Sequence, residues 1–183
     1  MKYFLIALFT LISLNVSAKD VAGSEVNDSI TVAEQTLILN GVGIREKWVF
    51  DVYSAALYLT KVNHQANYII DANETMVIEL KMLRDVDGKS MAEAIHQGFT
   101  SALNNDLTSL ENKINTFLQV FGNEAVKGNV YTLAYSPEIG TQININGKLV
   151  STIEGLDFKQ ALYAIWLGKD PAQDSLKNNL LGL

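Results

Sequence analysis

The chain of 183 residues has no cysteine, only two prolines and only two histidines. Without cysteine there is no disulfide, no thiol nucleophile and no lipid anchor on a cysteine at an export cleavage site. The same lack argues against a zinc site, because His64 and His96 stand far apart and no His-x-x-x-His pair exists. His96 falls on the polar side of a helical pattern beside Glu93 and Thr100, which is a solvated position. Two prolines, no repeats and no low-complexity tract argue against a multidomain chain. Positive charge is scarce too: 14 Lys and Arg against 20 Asp and Glu leave a net charge of −6. A dispersed, minority set of cations is poor equipment for nucleic acid, whose affinity comes from clustered positive charge on phosphates.

The familiar site motifs are missing as well. Asp85-x-Asp87 begins like a calcium loop, but its glycine, Gly88, comes at the fourth position and His96 stands where a bidentate glutamate is required. Gly41-x-Gly43 lacks the third glycine of a dinucleotide fingerprint, and Gly140 to Lys148 does not fit a phosphate loop. There is no Gly-x-Ser-x-Gly elbow for a serine nucleophile. No cofactor and no metal is implied.

One long apolar run is present, at the amino end. Met1-Lys2 is followed by Tyr3 to Leu14, almost wholly apolar, and then by Asn15-Val16-Ser17-Ala18 with small residues where a signal peptidase reads. Charge, short apolar core and small-x-small site in that order predict a cleavable export signal over residues 1–18. The core of roughly a dozen residues falls short of the ~20 that span a bilayer. No other stretch approaches that length, so no membrane span is expected after cleavage. Residues 19–31 are small and polar and predict a flexible mature terminus, leaving 32–183 as one domain, periplasmic or secreted.

From residue 32 the pattern is mixed. Thr36 to Asn40 predicts a short strand, and Ile44 to Leu59 a longer one; if it is continuous, Val42, Ile44, Trp48, Phe50 and Val52 share one face and Arg45, Lys47, Asp51 and Tyr53 the other. Gln65 to Ile70 suggests a short helix, and Met76 to Met82 alternates as a strand. Two capping boxes, Ser90-x-x-Glu93 and Thr108-x-x-Glu111, open helices with apolar stripes through Phe99 and Phe117. Val130 to Tyr135 is a strand. Ile139 to Ile153 reads as a hairpin about Asn146-Gly147, the pair that suits a type I′ turn. Asp157 is expected to cap a helix ended by Gly168, and Asp170-Pro171 to open the last one. Strands in runs with helices segregated predict an α+β fold with an antiparallel sheet.

One group of residues carries possible chemistry. Arg45 lies on a glycine-flanked strand on the same face as Tyr53. A guanidinium beside a phenol can hold a carboxylate or phenolate, because its fork donates two hydrogen bonds to an anion. The alternative is a solvated strand face on which Arg45 pairs with Glu46 or Asp51.

Two motifs, Gly41-Val-Gly-Ile-Arg45-x-Lys47-x-x-Phe50-x-Val-Tyr53-x-x-Ala-Leu-Tyr58-Leu59 and Gly140…Asn146-Gly147…Thr152-Ile-x-Gly155-x-Asp157-Phe158-x-x-Ala161-Leu-Tyr-x-Ile165-Trp-Leu-Gly168, resemble the chalcone isomerase-like proteins, in particular their small secreted bacterial branch. The resemblance covers most of 32–183. It implies an open-faced sandwich, a large antiparallel sheet with helices packed on one face and a ligand cleft between. In the plant isomerases of that family an arginine anchors developing negative charge, and Arg45 matches it. The positions of the partnering threonine, tyrosine and asparagine are taken here by Tyr53, Met91 and Gly98, which removes most of the polar set. A second branch binds fatty acids through the arginine and a nearby tyrosine, with which Arg45 and Tyr53 are compatible. The resemblance therefore implies an exported, non-catalytic protein that binds a fatty acid or similar small apolar anion. Two alternatives stand beside it. One is an isomerase or lyase using Arg45, with Tyr53 as acid/base; the other is a structural or interaction module of the cell envelope.

Overall fold

The computed structural model describes residues 18–183 apart from 22–23, 33 and 122–123. The expected export signal thus lies, but for Ala18, outside the described residues. Nine strands and five α-helices follow: β1 (Ala18–Val21), β2 (Ser24–Asn27), β3 (Ser29–Val32), β4 (Gln35–Lys47), β5 (Phe50–Leu59), α1 (Ala66–Asp71), β6 (Met76–Met82), α2 (Gly88–Ala102), α3 (Glu111–Val120), β7 (Val130–Ser136), β8 (Gly140–Ile145), β9 (Lys148–Ile153), α4 (Leu156–Leu167) and α5 (Asp174–Leu180). Strands β3 to β9 form one seven-stranded antiparallel sheet in sequence order, and β1 pairs with β2 as a separate hairpin.

Alternation along the strands gives the sheet two different faces. Leu57, Ile78, Leu133 and Ile143 point to one face and are covered by Phe99 of α2, Phe117 of α3 and Phe158 and Leu162 of α4. Each buried ring stabilises this layer by about 1.5–3 kcal/mol. Leu37, Ala56, Tyr58, Val77 and Ala134 point to the other face and gather Val26 of β2 against them. An antiparallel sheet with its main helices on one face is the α+β open-faced sandwich that the sequence implies.

The largest differences from expectation are at element ends. Residues 19–31, read as a loose terminus, include β1, β2 and the start of β3, and β3 pairs with β4 from Ser29 to Val32. Val26 and the half-buried Ile30 supply the apolar contacts that a count of small polar residues overlooks. The stretch from 44 to 59 is not one strand but a hairpin that reverses at Trp48-Val49, so Trp48 leaves the face assigned to it and projects from the turn. The N-cap of α2 is Asp87, whose carboxylate accepts from the Ser90 N–H at 2.9 Å, so Ser90 is inside the helix. Thr108 opens a 3₁₀ turn before α3. Gly155, with φ of 101°, precedes α4 in place of Asp157. Asp170-Pro171 does not start α5, because the Ala172 N–H turns back to the Ile165 carbonyl at 2.8 Å and delays the helix to Asp174.

Candidate functional site

Arg45 and Tyr53 are brought together. They are directly opposed residues of the β4–β5 ladder, and so share the helix-facing side of the sheet. Gly41 and Gly43, on the same side of β4, let α5 lie almost on the strand. A Cβ at Gly41 would stand 2.1 Å from the Asn179 carbonyl oxygen. The Asn40 amide donates to the Leu180 carbonyl at 2.8 Å and pins the end of α5 there. The glycines that flank Arg45 in sequence thus serve to seat α5 and the loop before it beside the arginine.

That loop supplies Gln173, a residue the sequence reading passed over. Its Oε1 accepts from Arg45 Nη1 at 3.1 Å and from the Glu46 N–H at 2.9 Å. Its Nε2 donates to Ser175 Oγ at 2.6 Å. Arg45 Nη1 also donates to the Glu46 backbone carbonyl. Among the described residues the ion pairs are Lys89–Glu93 and Lys113–Asp157, so neither Glu46 nor Asp51 neutralises Arg45. The guanidinium is half-buried and hydrogen-bonded to neutral oxygens, while the Glu46 carboxylate accepts from Gln173 Nε2 at 3.4 Å.

Tyr53 is fixed from the other side. Trp166 of α4 donates its indole N–H to the Tyr53 hydroxyl oxygen at 3.0 Å. Burial raises the phenol above its ordinary value, while the Trp166 hydrogen bond and the Arg45 charge pull it down in part. The net effect keeps Tyr53 protonated at neutral pH, with its own hydrogen still to donate. A carboxylate against Arg45 would find a cation and a neutral O–H donor on one wall. Both groups are donors of the kind that suits an anion.

Met91 and Gly98 bear on the catalytic alternative. Met91 is buried in the helix-side core, and a Cβ at Gly98 would stand 2.8 Å from Ile165 Cγ2, so this position serves α2–α4 packing. The implied cleft is filled in its middle by the protein's own rings: Phe99, Phe117 and Phe158 lie 5.8 Å apart, centroid to centroid. At the far end of β5 an open depression of about 250 Å³ is lined by Thr60, Asn73, Glu74 and Glu138. Its acidic rim is unsuited to an anionic ligand. Beneath that end lies a second residue that the sequence did not reveal. Lys159 of α4 is fully buried, and its Nζ donates to the carbonyls of Ile69, Ile70 and Ala72 at 2.6, 2.9 and 2.8 Å. No group of three or more His, Asp or Glu among the described residues is placed to hold a metal ion. His96 is exposed.

The fold and these motifs have relatives. The chalcone isomerase-like family profile matches residues 18–182, and the chain belongs to that family. A solved structure with the same fold is the fatty-acid binding protein of Arabidopsis thaliana. It is 14% identical, with a TM-score of 0.70 over 90% of this chain and 95% of that one. No curated protein matches the sequence.

Proposed function

We propose that the protein is an exported, non-catalytic carrier or receptor for a fatty acid or a similar small apolar anion, whose carboxylate is held by Arg45 and Tyr53. The observation that carries this reading is the half-buried Arg45 guanidinium, opposed to a protonated Tyr53 and held only by neutral oxygens. The shared fold with a plant fatty-acid binding protein supports it. Met91 and Gly98, tied into packing where the isomerases carry polar groups, weigh against cyclisation chemistry. An Arg–carboxylate contact contributes about 1.5–3 kcal/mol in such a setting. Each buried methylene adds about 0.8 kcal/mol, so micromolar affinity is within reach. Met82, opposite Tyr53 on β6, is buried, so an acyl chain entering here would have to displace its flexible thioether. Export would place the protein in the periplasm or outside the cell, in the secreted branch of the family.

The test is to purify the protein from its exported fraction, extract it with organic solvent and identify bound lipid by mass spectrometry. Delipidated protein is then titrated with a long-chain fatty acid, wild type beside Arg45→Ala. Bound acyl lipid and a loss of tenfold or more in the variant are expected. A protein that comes out empty and refuses fatty acids on titration would overturn the reading. Amino-terminal sequencing of the same material checks export, with Lys19 expected as the first residue.

A further inference from the structure

The β4–β5 turn presents an aromatic tip that the packing of the domain does not explain. Trp48 is 88% exposed and Val49 87%, and Phe50 beside them is about half exposed. Water contact of this extent on a tryptophan forgoes the burial that normally makes the residue worth having. The backbone is also unfavourable, since Trp48 has φ of 59°, a conformation natural to glycine or asparagine and costly for a bulky side chain. Its cations are arranged to match. Lys47 Nζ lies 5.9 Å from the Trp48 ring centroid, and the Arg84 guanidinium 4.5 Å from that of Phe50. The nearest acids, Glu46 and Asp51, are paired one register step behind Lys47 and Phe50. Asp85, next to Arg84 in sequence, accepts the Lys127 backbone N–H at 2.7 Å. The turn itself, Lys47 to Phe50, carries one cation, three apolar side chains and no acid, on a chain whose net charge is −6.

We propose that this turn docks the protein on an anionic lipid surface, with Trp48 and Val49 entering the headgroup layer and Lys47 and Arg84 meeting phosphates. A narrow convex turn suits insertion between headgroups, where tryptophan is favoured by its flat ring and indole N–H. Flanking lysine and arginine supply the attraction to an anionic leaflet, about 1 kcal/mol each near the surface. A protein partner would call for a broader apolar patch than one two-residue tip. The inference rests on the turn alone and holds whatever Arg45 binds, although docking would bring Arg45, three residues from the tip, close to the membrane.

The experiment uses the full exported protein and vesicles of phosphatidylethanolamine with phosphatidylglycerol, compared with phosphatidylcholine alone. Trp166 is buried, so Trp48 dominates any change in tryptophan emission. A blue shift and co-sedimentation with the anionic vesicles are expected, weakening severalfold in raised salt. Trp48→Gly relieves the positive φ and so preserves the fold, and combined with Val49→Ser it should abolish co-sedimentation with the anionic vesicles. Lys47→Gln with Arg84→Gln should leave the far-UV circular dichroism of the free protein unchanged and lower binding to anionic vesicles about tenfold. Wild type that ignores both vesicle types, or a Trp48→Gly/Val49→Ser protein that binds as wild type does, would overturn the proposal. So would concentration-dependent self-association in analytical ultracentrifugation that Trp48→Gly abolishes without any vesicle binding, since the tip would then join two copies of the chain.

Discussion

Arg45 donates to the side-chain oxygen of Gln173 at 3.1 Å, and so meets a neutral partner where a carboxylate would fit sterically as well. The glutamine orients the guanidinium without discharging it. A near-isosteric Gln173→Glu would put a resident anion on the same nitrogen. Fatty-acid affinity is then expected to fall about tenfold at neutral pH, as one charge-assisted contact of ~1.4 kcal/mol is pre-empted. Isothermal titration of both proteins at neutral pH reads the effect. Unchanged affinity would separate the ligand from Arg45.

Tyr53→Phe separates two roles of one hydroxyl. The oxygen accepts from Trp166, and its removal leaves a largely buried indole N–H without an acceptor. Stability should fall by about 1–3 kcal/mol, read by urea denaturation. The hydrogen of the same group is available to a ligand, so affinity should fall severalfold as well. A stability loss with affinity unchanged would leave Tyr53 as a support for α4 and make Arg45 the sole anchor.

Much of the frame was legible in the sequence because its signals are local. Asn146 and Gly147, with φ of 51° and 78°, form the turn their identities demand, and β6 alternates as its residues do. Even spacing on a continuous strand would put Arg45 and Tyr53 on one face; they do share a face, but as cross-strand partners about a turn with no glycine or asparagine to announce it. Gln173 and Trp166 reach the site from sequence distances of more than one hundred residues, which no local pattern encodes. Lys159 was hidden for a different reason. A lysine in a helix reads as solvated, and only the position of the α1 carboxyl end makes its burial tolerable.

The glycines of β4 and α2 offer a comparison that tests the packing directly. A methyl at Gly41 meets the backbone oxygens of Asn179 and Leu180 within 2.5 Å, and only a shift of α5 can relieve it. A methyl at Gly98 meets Ile165 Cγ2 at 2.8 Å, a side-chain atom on a stiff β-branched residue that must shift a little to admit it. Gly41→Ala should cost about 2–3 kcal/mol, and Gly98→Ala about 1–2 kcal/mol because a side chain yields more readily than backbone and alanine also favours the helix. Chemical denaturation of the two variants ranks them. If Gly98→Ala is the worse, the α2–α4 contact is tighter than that of α5 on β4. Because α5 follows Gln173, Gly41→Ala should also weaken fatty-acid binding, while Gly98→Ala should not.

Lys159 should make the stability of the fold climb with pH. Its three donors match the three carbonyls of Ile69, Ile70 and Ala72, closing the end of a helix only six residues long. Burial pulls the ammonium down to about 8, against the upward pull of Asp71 and Glu74. In the unfolded chain it returns to its ordinary value of 10.5. Between those two values the unfolded chain binds more protons than the folded one. Folding stability therefore rises with pH in that window, by at most ~1.4 kcal/mol per pH unit. Buried tyrosines, raised by burial, act in the opposite sense only above their ordinary value of 10.0. Lys159→Met keeps those tyrosines and removes the lysine, so the difference between the two proteins isolates it. Near pH 7 the variant should be less stable by about 2 kcal/mol, because three carbonyls lose their donor. The gap should widen between about pH 8 and pH 10. Urea unfolding of both proteins across that range measures it. A gap that stays constant would mean that the lysine keeps its ordinary affinity for protons inside the fold, with the three carbonyls and the two acids offsetting the whole cost of its burial.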